Sequence, residues 1–531
     1  MSLVSPSRPL PAHGGAVPAL LPPPRHLARV PGYFTLTPDA AVRAEPAARQ
    51  IADLLRTLLR PATGLPLPPA ADGTLTLALD PAEHPSLGAE GYRLSVRPDG
   101  VRLLAARPAG LRNAVQTLRQ LLPPAALARR PAASGTAWTL PCVEITDRPR
   151  HSWRGLMVDT ARHFQPLDRL LRTVDRIALH KLNVLHLHLT DDQGWRLPVD
   201  AYPLLTAVGS VRARTPLGPP GSGCRDDRPH GGAYTKAELR RLVGYAAERG
   251  VTVLPEVEMP GHTRAALAAY PHLGNHPDRR LDVWTEWGIC DTVLGVHDAA
   301  LDFCRTVLDE AMDLFPGPYV HLGGDECPTA EWESSPAARA RAAALRLPGP
   351  RALRGWFLGR AGAHVLAAGR RPVCWAEGDT DAQPPGAALP PEFVLMAWRD
   401  ARHGLAAARR GHEVVMAPHR STYLDYPQSD RPGEPPGQPG EVVDLAAVYA
   451  NDPAPAAWPA EHAARVLGTQ AQLWTEYVTT ADRYDHLLWP RLCALAARAW
   501  NPDGDYHRDF LPALAAHRPR LAALGLAGQT P

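Results

Sequence analysis

Eight short apolar runs, at residues 155–158, 183–189, 251–255, 319–322, 372–375, 393–397, 413–417 and 467–471, constrain this chain more than any other feature. Each is too short for a helix, and several are apolar nearly throughout, as strands covered on both faces must be. Stretches with helical spacing lie between most of them, at 167–180, 236–249, 299–315 and 335–369, with 482–500 closing the series. Strands alternating with helices build a parallel sheet, and eight of them predict a (β/α)8 TIM barrel spanning residues 148–520.

Upstream the pattern differs. Residues 1–28 are rich in Pro and Ala and are expected to be loose. Residues 29–147 read as a small α+β domain. A strand at 33–37, a helix at 47–59 and a strand at 75–79 come first. A hairpin then turns at Pro98-Asp99-Gly100, followed by a helix at 112–122. A strand at 140–145 is expected to bridge to the barrel, and residues 521–531 to form a tail. The long loops 201–233, 271–296 and 425–460 are Pro/Gly-rich, and loops of such length are usually functional.

Composition narrows the function. The 57 Lys and Arg nearly balance 54 Asp and Glu, which implies no basic face and no nucleic-acid partner. No apolar run approaches the ~18 residues that span a bilayer, so no membrane partner is expected. The seven cysteines are scattered, without paired-ligand spacing, which argues against zinc and for a reducing compartment. With no charged and apolar leader at the N-terminus, a cytoplasmic enzyme is expected, and a secreted one is the alternative.

Every predicted strand end carries an acid, an aromatic residue or both. The set is Asp159 and Arg162; Asp191 and Trp195; Glu256, Glu258 and His262; Asp325 and Glu326; Trp375 and Glu377; Trp398 and Asp400; Tyr423 and Asp425; Trp474 and Glu476. Barrel enzymes keep their chemistry at the C-terminal ends of the strands. Adjacent carboxyls such as Asp325 and Glu326 cannot both ionise freely in a poorly solvated pocket. The competing explanation is a helix N-terminus capped by this doublet ahead of Pro328. Acids with tryptophans point to a sugar, whose C–H faces stack on indole and whose hydroxyls bind carboxylates and Arg. His186 and His188 share one side of a strand at metal-ligand spacing, but no third ligand is evident, so no metal is expected.

The segments 153–164, His186-Leu-His-Leu-Thr-Asp191-Asp-Gln-Gly-Trp195, Pro255-Glu-Val-Glu-Met-Pro-Gly-His262 and His321-Leu-Gly-Gly-Asp325-Glu326 together resemble the family-20 glycoside hydrolases, the β-N-acetylhexosaminidases. Tyr423-Leu-Asp425 and Gln472-Leu-Trp474-Thr-Glu476 match as well, and the resemblance runs from about residue 30 to 505. It implies an exo-acting, retaining hydrolase that takes one terminal GlcNAc or GalNAc, without a cofactor. The substrate's own acetamido oxygen would displace the leaving group, giving an oxazolinium ion. The resemblance further implies Glu326 as general acid and base, and Asp325 as the group that orients the acetamide N–H. Tyr423 would bond the acetamido oxygen with Asp425 nearby. Asp191 and His262 would support the acid, with Glu258 behind His262. Arg162 would grip the C3 and C4 hydroxyls and Glu476 the C4 and C6 hydroxyls. Trp375, Trp398 and Trp474 would enclose the ring. Glu258 departs from the family's commoner Asp. A binding protein on a decayed barrel and an enzyme releasing a disaccharide are the rival readings. Oligomeric state is not readable from the sequence.

Overall fold

The computed structural model describes residues 18–218, 222–377 and 388–526. Of these, residues up to Pro149 and from His507 form one compact unit, and Arg150–Tyr506 form the other.

The first unit is a six-stranded mixed sheet, β1 (His26–Leu36), β2 (Val42–Ala44), β3 (Leu75–Leu79), β4 (Tyr92–Arg97), β5 (Gly100–Ala105) and β6 (Trp138–Asp147), in the order β1-β6-β4-β5-β3-β2. Strand β4 buries Tyr92, Leu94 and Val96 and exposes Arg93 and Arg97, the alternation of a sheet covered on one face. Helices Arg49–Thr63 and Pro108–Leu121 belong to this unit and bury their apolar stripes.

Three expectations change here. Strand β6 is no bridge: it lies inside this sheet, antiparallel to both β1 and β4, because Val143 and Ile145 supply core side chains. The described part of 1–28 is ordered from residue 18, where Leu20 and Leu21 are buried and Leu21 exchanges two hydrogen bonds with the Gln120 amide. Residues 1–17 lie outside the described residues. Helix Leu511–Ala523 belongs to this unit instead of the barrel, since Leu514 and Leu521 are buried and Arg520 donates to the Gln120 carbonyl.

The second unit is a closed barrel of eight parallel strands: β7 (Trp153–Asp159), β8 (Val184–His188), β9 (Thr252–Glu256), β10 (Tyr319–His321), β11 (Arg371–Trp375), β12 (Val394–Ala397), β13 (Glu413–Met416) and β14 (Val466–Leu473). They pair in chain order, and β14 closes on β7. All eight expected strands are present. Trp153, Val184, Leu254, Val373, Met396 and Val415 cluster in its interior, so the barrel is a packed core.

Two expected helices are divided. The 335–369 region is helix Pro336–Ala344, a short turn at Pro350–Ala352 and helix Leu353–Ala367. Pro348 and Pro350 lack the N–H that a continuous ladder needs. Pro490 likewise separates Ala481–Leu488 from Arg491–Trp500. No helix among the described residues is long and apolar enough to cross a membrane.

Candidate active site

The strand ends converge. After β7, Asp159 Oδ1 accepts from the backbone of Ala161 and Arg162, while its Oδ2 accepts from the Thr475 N–H and hydroxyl beyond β14. That tie presents Arg162. The guanidinium is buried, donates through Nε to Gln193 Oε1 at 2.9 Å, and sits 2.8 Å from Asp191 Oδ2. It lies 4.9 Å above the Trp474 ring, and its Nη1 makes no hydrogen bond. Burial alone would lower the pKa of Arg162, but Asp191, Glu476 and Asp159 outweigh it, so the cation is permanent.

Asp191 and Asp192 come from a tight antiparallel turn, Thr190–Asp191 against Gly194–Trp195, just past β8. His262, beyond β9, takes a positive φ of 52°, a costly conformation for a side chain of this kind. It aims Nδ1 at Asp192 Oδ2 (3.1 Å) and Asp191 Oδ1 (3.3 Å). Its Nε2 faces Glu326 Oε2 at 3.7 Å and Asp325 Oδ2 at 4.0 Å. Burial disfavours the imidazolium, yet the aspartates and Glu326 outweigh it and raise the pKa.

The acidic doublet follows β10 through Gly323 and Gly324, both at positive φ, and Glu326 itself has φ 44°. Thus the pair leaves the strand on a sharply turned backbone, and no capped helix begins there: the next helix is Ala330–Ser334. The two carboxyls differ. Burial, with Glu326 as neighbour and against the pull of His262, lifts Asp325 to about 6. Burial pushes Glu326 up too, but His262 beside it prevails and holds it below the usual range.

Aromatic rings form the facing wall. Trp375 and Trp474 lie 6.1 Å apart, Tyr423 and Trp474 6.2 Å, and Tyr423 stacks on Trp398 at 6.3 Å and 21°. The Trp398 indole donates to Glu377, which also pairs with Arg399. Burial, then Asp325 and Asp425, raise the Tyr423 hydroxyl, so it stays a donor. Asp425 is buried with Oδ1 unbonded, and burial with Glu476 nearby raises its pKa. Glu476 is half-buried; burial raises it, Arg162 opposes and Asp159 adds to the rise. Arg162 Nη1, 3.5 Å from Asp159 Oδ2, and Asp425 Oδ1 are thus buried polar atoms without a hydrogen bond in the protein.

Glu258 is the exception. It does not stand behind His262, whose Nδ1 is taken by Asp191 and Asp192. Its Oε2 accepts from the Gly324 N–H at 3.2 Å, and its Oε1 is unbonded. The glycine turn folds back over it: a Cβ on Gly323 would fall 1.9 Å from Glu258 Oε2. Burial, then Asp325 and Glu256, push its pKa well above the carboxyl range.

Sequence reasoning also missed partners. Asp192 and Gln193 sit in the motif that contains Asp191, but adjacency alone did not say which one meets His262 or Arg162. The third ligand not evident beside His186 exists in space, since Glu256 and His321 come close enough to share an ion with it. The chemistry of that cluster suits hydrogen bonds better. Glu256 Oε1 already accepts from the Trp375 indole and Oε2 from His188.

The family model described as glycosyl hydrolase family 20, catalytic domain, matches residues 151–503, and the one for domain 2 of that family matches 17–148. The chain belongs to glycosyl hydrolase family 20. As a family-20 protein it is a glycoside hydrolase. It is 35% identical over 517 residues to a β-hexosaminidase of Akkermansia muciniphila, covering 96% of this chain and 94% of that one. A β-hexosaminidase of Porphyromonas gingivalis is 36% identical over 87% of this chain, which spans 57% of that protein's length. Among solved family-20 structures, the β-N-acetylhexosaminidase of Streptomyces coelicolor superposes with a TM-score of 0.81 at 33% identity, over 97% of this chain and 98% of its own. The exo-β-N-acetylglucosaminidase of Vibrio harveyi, in complex with N-acetylglucosamine, gives 0.84 at 30% identity, over 99% and 80%.

Proposed function

We propose that this enzyme removes terminal, non-reducing, β-linked N-acetylhexosamine by retaining, substrate-assisted hydrolysis, with the pocket residues in the following roles. The observation that carries this reading is the unequal pair Asp325 and Glu326 set against an aromatic wall, with His262 between the acids and Asp191/Asp192. A conventional retaining pair places two carboxyls about 5 Å apart across the bond, one as nucleophile. Sequence neighbours on one turn suit a different division of labour.

Trp375, Trp398 and Trp474 pack on the sugar and its acetamide, Arg162 holds C3 and C4 hydroxyls, and Asp425 and Glu476 take further hydroxyls. The acetamido oxygen then forms a bond to C1 as the bond from C1 to the leaving oxygen breaks. Tyr423 holds that acetamido oxygen in line, and Asp325 accepts from the acetamide N–H and balances its growing positive charge. Glu326 gives its proton to the leaving oxygen. In the open site that proton lies on His262; a seated sugar strips water from Glu326 and raises its proton affinity. Glu326 then takes a proton from water as the water opens the oxazolinium ring.

Seven free cysteines support a reducing compartment as the place of action. A panel of chromogenic β-glycosides tests the mechanism. The 2-acetamido gluco and galacto substrates turn over, and their ratio gives the sugar preference. A β-glucoside cleaved as fast as its 2-acetamido analogue overturns the reading.

A further inference from the structure

Glu256 ends strand β9, is fully buried and has no place in the sugar pocket described above. Four side chains nevertheless converge on it. The Trp375 indole N–H donates to Oε1 at 2.7 Å, and His321 Nδ1 lies 2.9 Å from the same oxygen. His188 Nδ1 lies 2.5 Å from Oε2, and His186 Nε2 3.2 Å from it. The other nitrogen of His188 faces Asp191 Oδ2 at 2.8 Å. That oxygen is also the one 2.8 Å from Arg162, and the second Asp191 oxygen faces His262.

We propose that Glu256 is a positioning residue for the sugar reaction, holding the acetamide-facing Trp375 with one oxygen and, through His188 and Asp191, both Arg162 and His262 with the other. The proposal rests on the function given above. His188 is the hinge of the argument. Each of its ring nitrogens meets a carboxylate oxygen, and carboxylates only accept, so both nitrogens carry protons and the ring is cationic. Burial disfavours this, but Glu256 and Asp191 on either side prevail and lift His188 to about 10. Against burial, His321 and His188 hold Glu256 well below the usual carboxyl range. The charged and titratable groups facing this column include His186 from β8, His321 from β10, Asp191 and Arg162 from the turns after β8 and β7, Glu258 after β9, 4.0 Å from His188, His262 after β9, 3.3 Å from Asp191, and Asp325 after β10, on which the charge of Glu256 acts. Burial keeps His186 neutral, with a pKa lowered to about 4, so His188 carries charge that His186 does not.

Glu256→Gln keeps the volume and an acceptor for Trp375 but removes the charge that keeps His188 doubly protonated. With ¹⁵N-histidine-labelled full-length enzyme, NMR is expected to show both His188 nitrogens protonated at pH 8 in the parent and one in the variant. In the variant kcat is expected to fall at least tenfold with a smaller change in KM, and kcat/KM to decline with rising pH where the parent is flat. A folded variant with kcat within twofold and an unchanged pH profile overturns the proposal, as does a His188 that stays doubly protonated. If Glu256→Gln does not fold, His188→Gln decides: the proposal requires a comparable kcat loss, and parental kcat sinks it. A parent inactive on 2-acetamido sugars refutes the proposed function instead, and the NMR comparison still reads the column independently.

Discussion

His262 Nε2 lies 3.7 Å from Glu326 Oε2, while its Nδ1 is held 3.1 Å from Asp192. Charge on that ring holds the Glu326 carboxyl below its usual range, and in the proposed mechanism Glu326 takes up its proton once a sugar displaces water from it. Glu326→Gln is expected to lower kcat by about 10²–10⁴ on substrates with poor leaving groups, and much less on activated aryl glycosides. Steady-state rates on the two substrate types check this. Equal losses on both would remove Glu326 from the acid role.

The proposed mechanism requires Asp325 ionised to balance the acetamide charge, and burial lifts its pKa to about 6. The parent kcat/KM is therefore expected to fall as pH drops through about 6, and Asp325→Asn to lose that limb along with most activity. Stability runs the other way. The folded carboxyl keeps its proton between its unfolded value of about 3.9 and its folded value, so ν is larger in the native state there. Unfolding free energy then decreases as pH rises across that window, by on the order of 1 kcal/mol per unit. Urea titrations from pH 4 to 7 should show a flatter curve for Asp325→Asn; an equally steep one refutes the assignment.

Arg162 presents a planar fork braced by Asp191 and Gln193, with Nη1 free of protein hydrogen bonds. Lysine cannot reproduce that fork. Arg162→Lys is expected to raise KM for an N-acetylhexosaminide by roughly tenfold or more, on the scale of charge-assisted bonds. The unfolding midpoint gauges any structural loss, and an unchanged KM would place the hydroxyl contact elsewhere.

Glu258 has a strongly raised pKa; its Oε2 accepts from the Gly324 N–H, which a neutral amide oxygen serves equally well, and its Oε1, 4.0 Å from His188, makes no hydrogen bond. Glu258→Gln should therefore leave kcat and KM within a few-fold of the parent. A hundredfold loss would restore the role first expected for it behind His262.

Gly323 combines φ 61° with a carboxylate 1.9 Å from where a Cβ would stand. Gly323→Ala must displace Glu258 and the turn that carries the doublet. It is expected to destabilise the fold by about 1–3 kcal/mol and to depress kcat more than its stability loss explains. Thermal unfolding and kcat measured together separate the two effects.

The eight barrel strands, the strand-end acids and the aromatic residues were legible because burial on both faces writes short apolar runs into the chain, and parallel topology puts every run's C-terminal end on one face. The helix breaks at Pro348, Pro350 and Pro490 were equally available from residue chemistry, though helical spacing alone ran through them. Strand β6 and helix Leu511–Ala523 were not, because apolar spacing says that a segment is buried and not which core buries it.

Sequence alone determined which side chains reach the catalytic end of the barrel, since strand direction fixes that once the strands are known. Only the tertiary structure decided how those side chains pair. His262 turned toward Asp192 and away from Glu258 because a positive φ and a folded-back glycine turn set directions that no spacing encodes. Glu256 met His188 and Trp375 because β9, β8 and β11 lie around one closed barrel, where residues 68 and 119 positions apart in the chain come within hydrogen-bond reach.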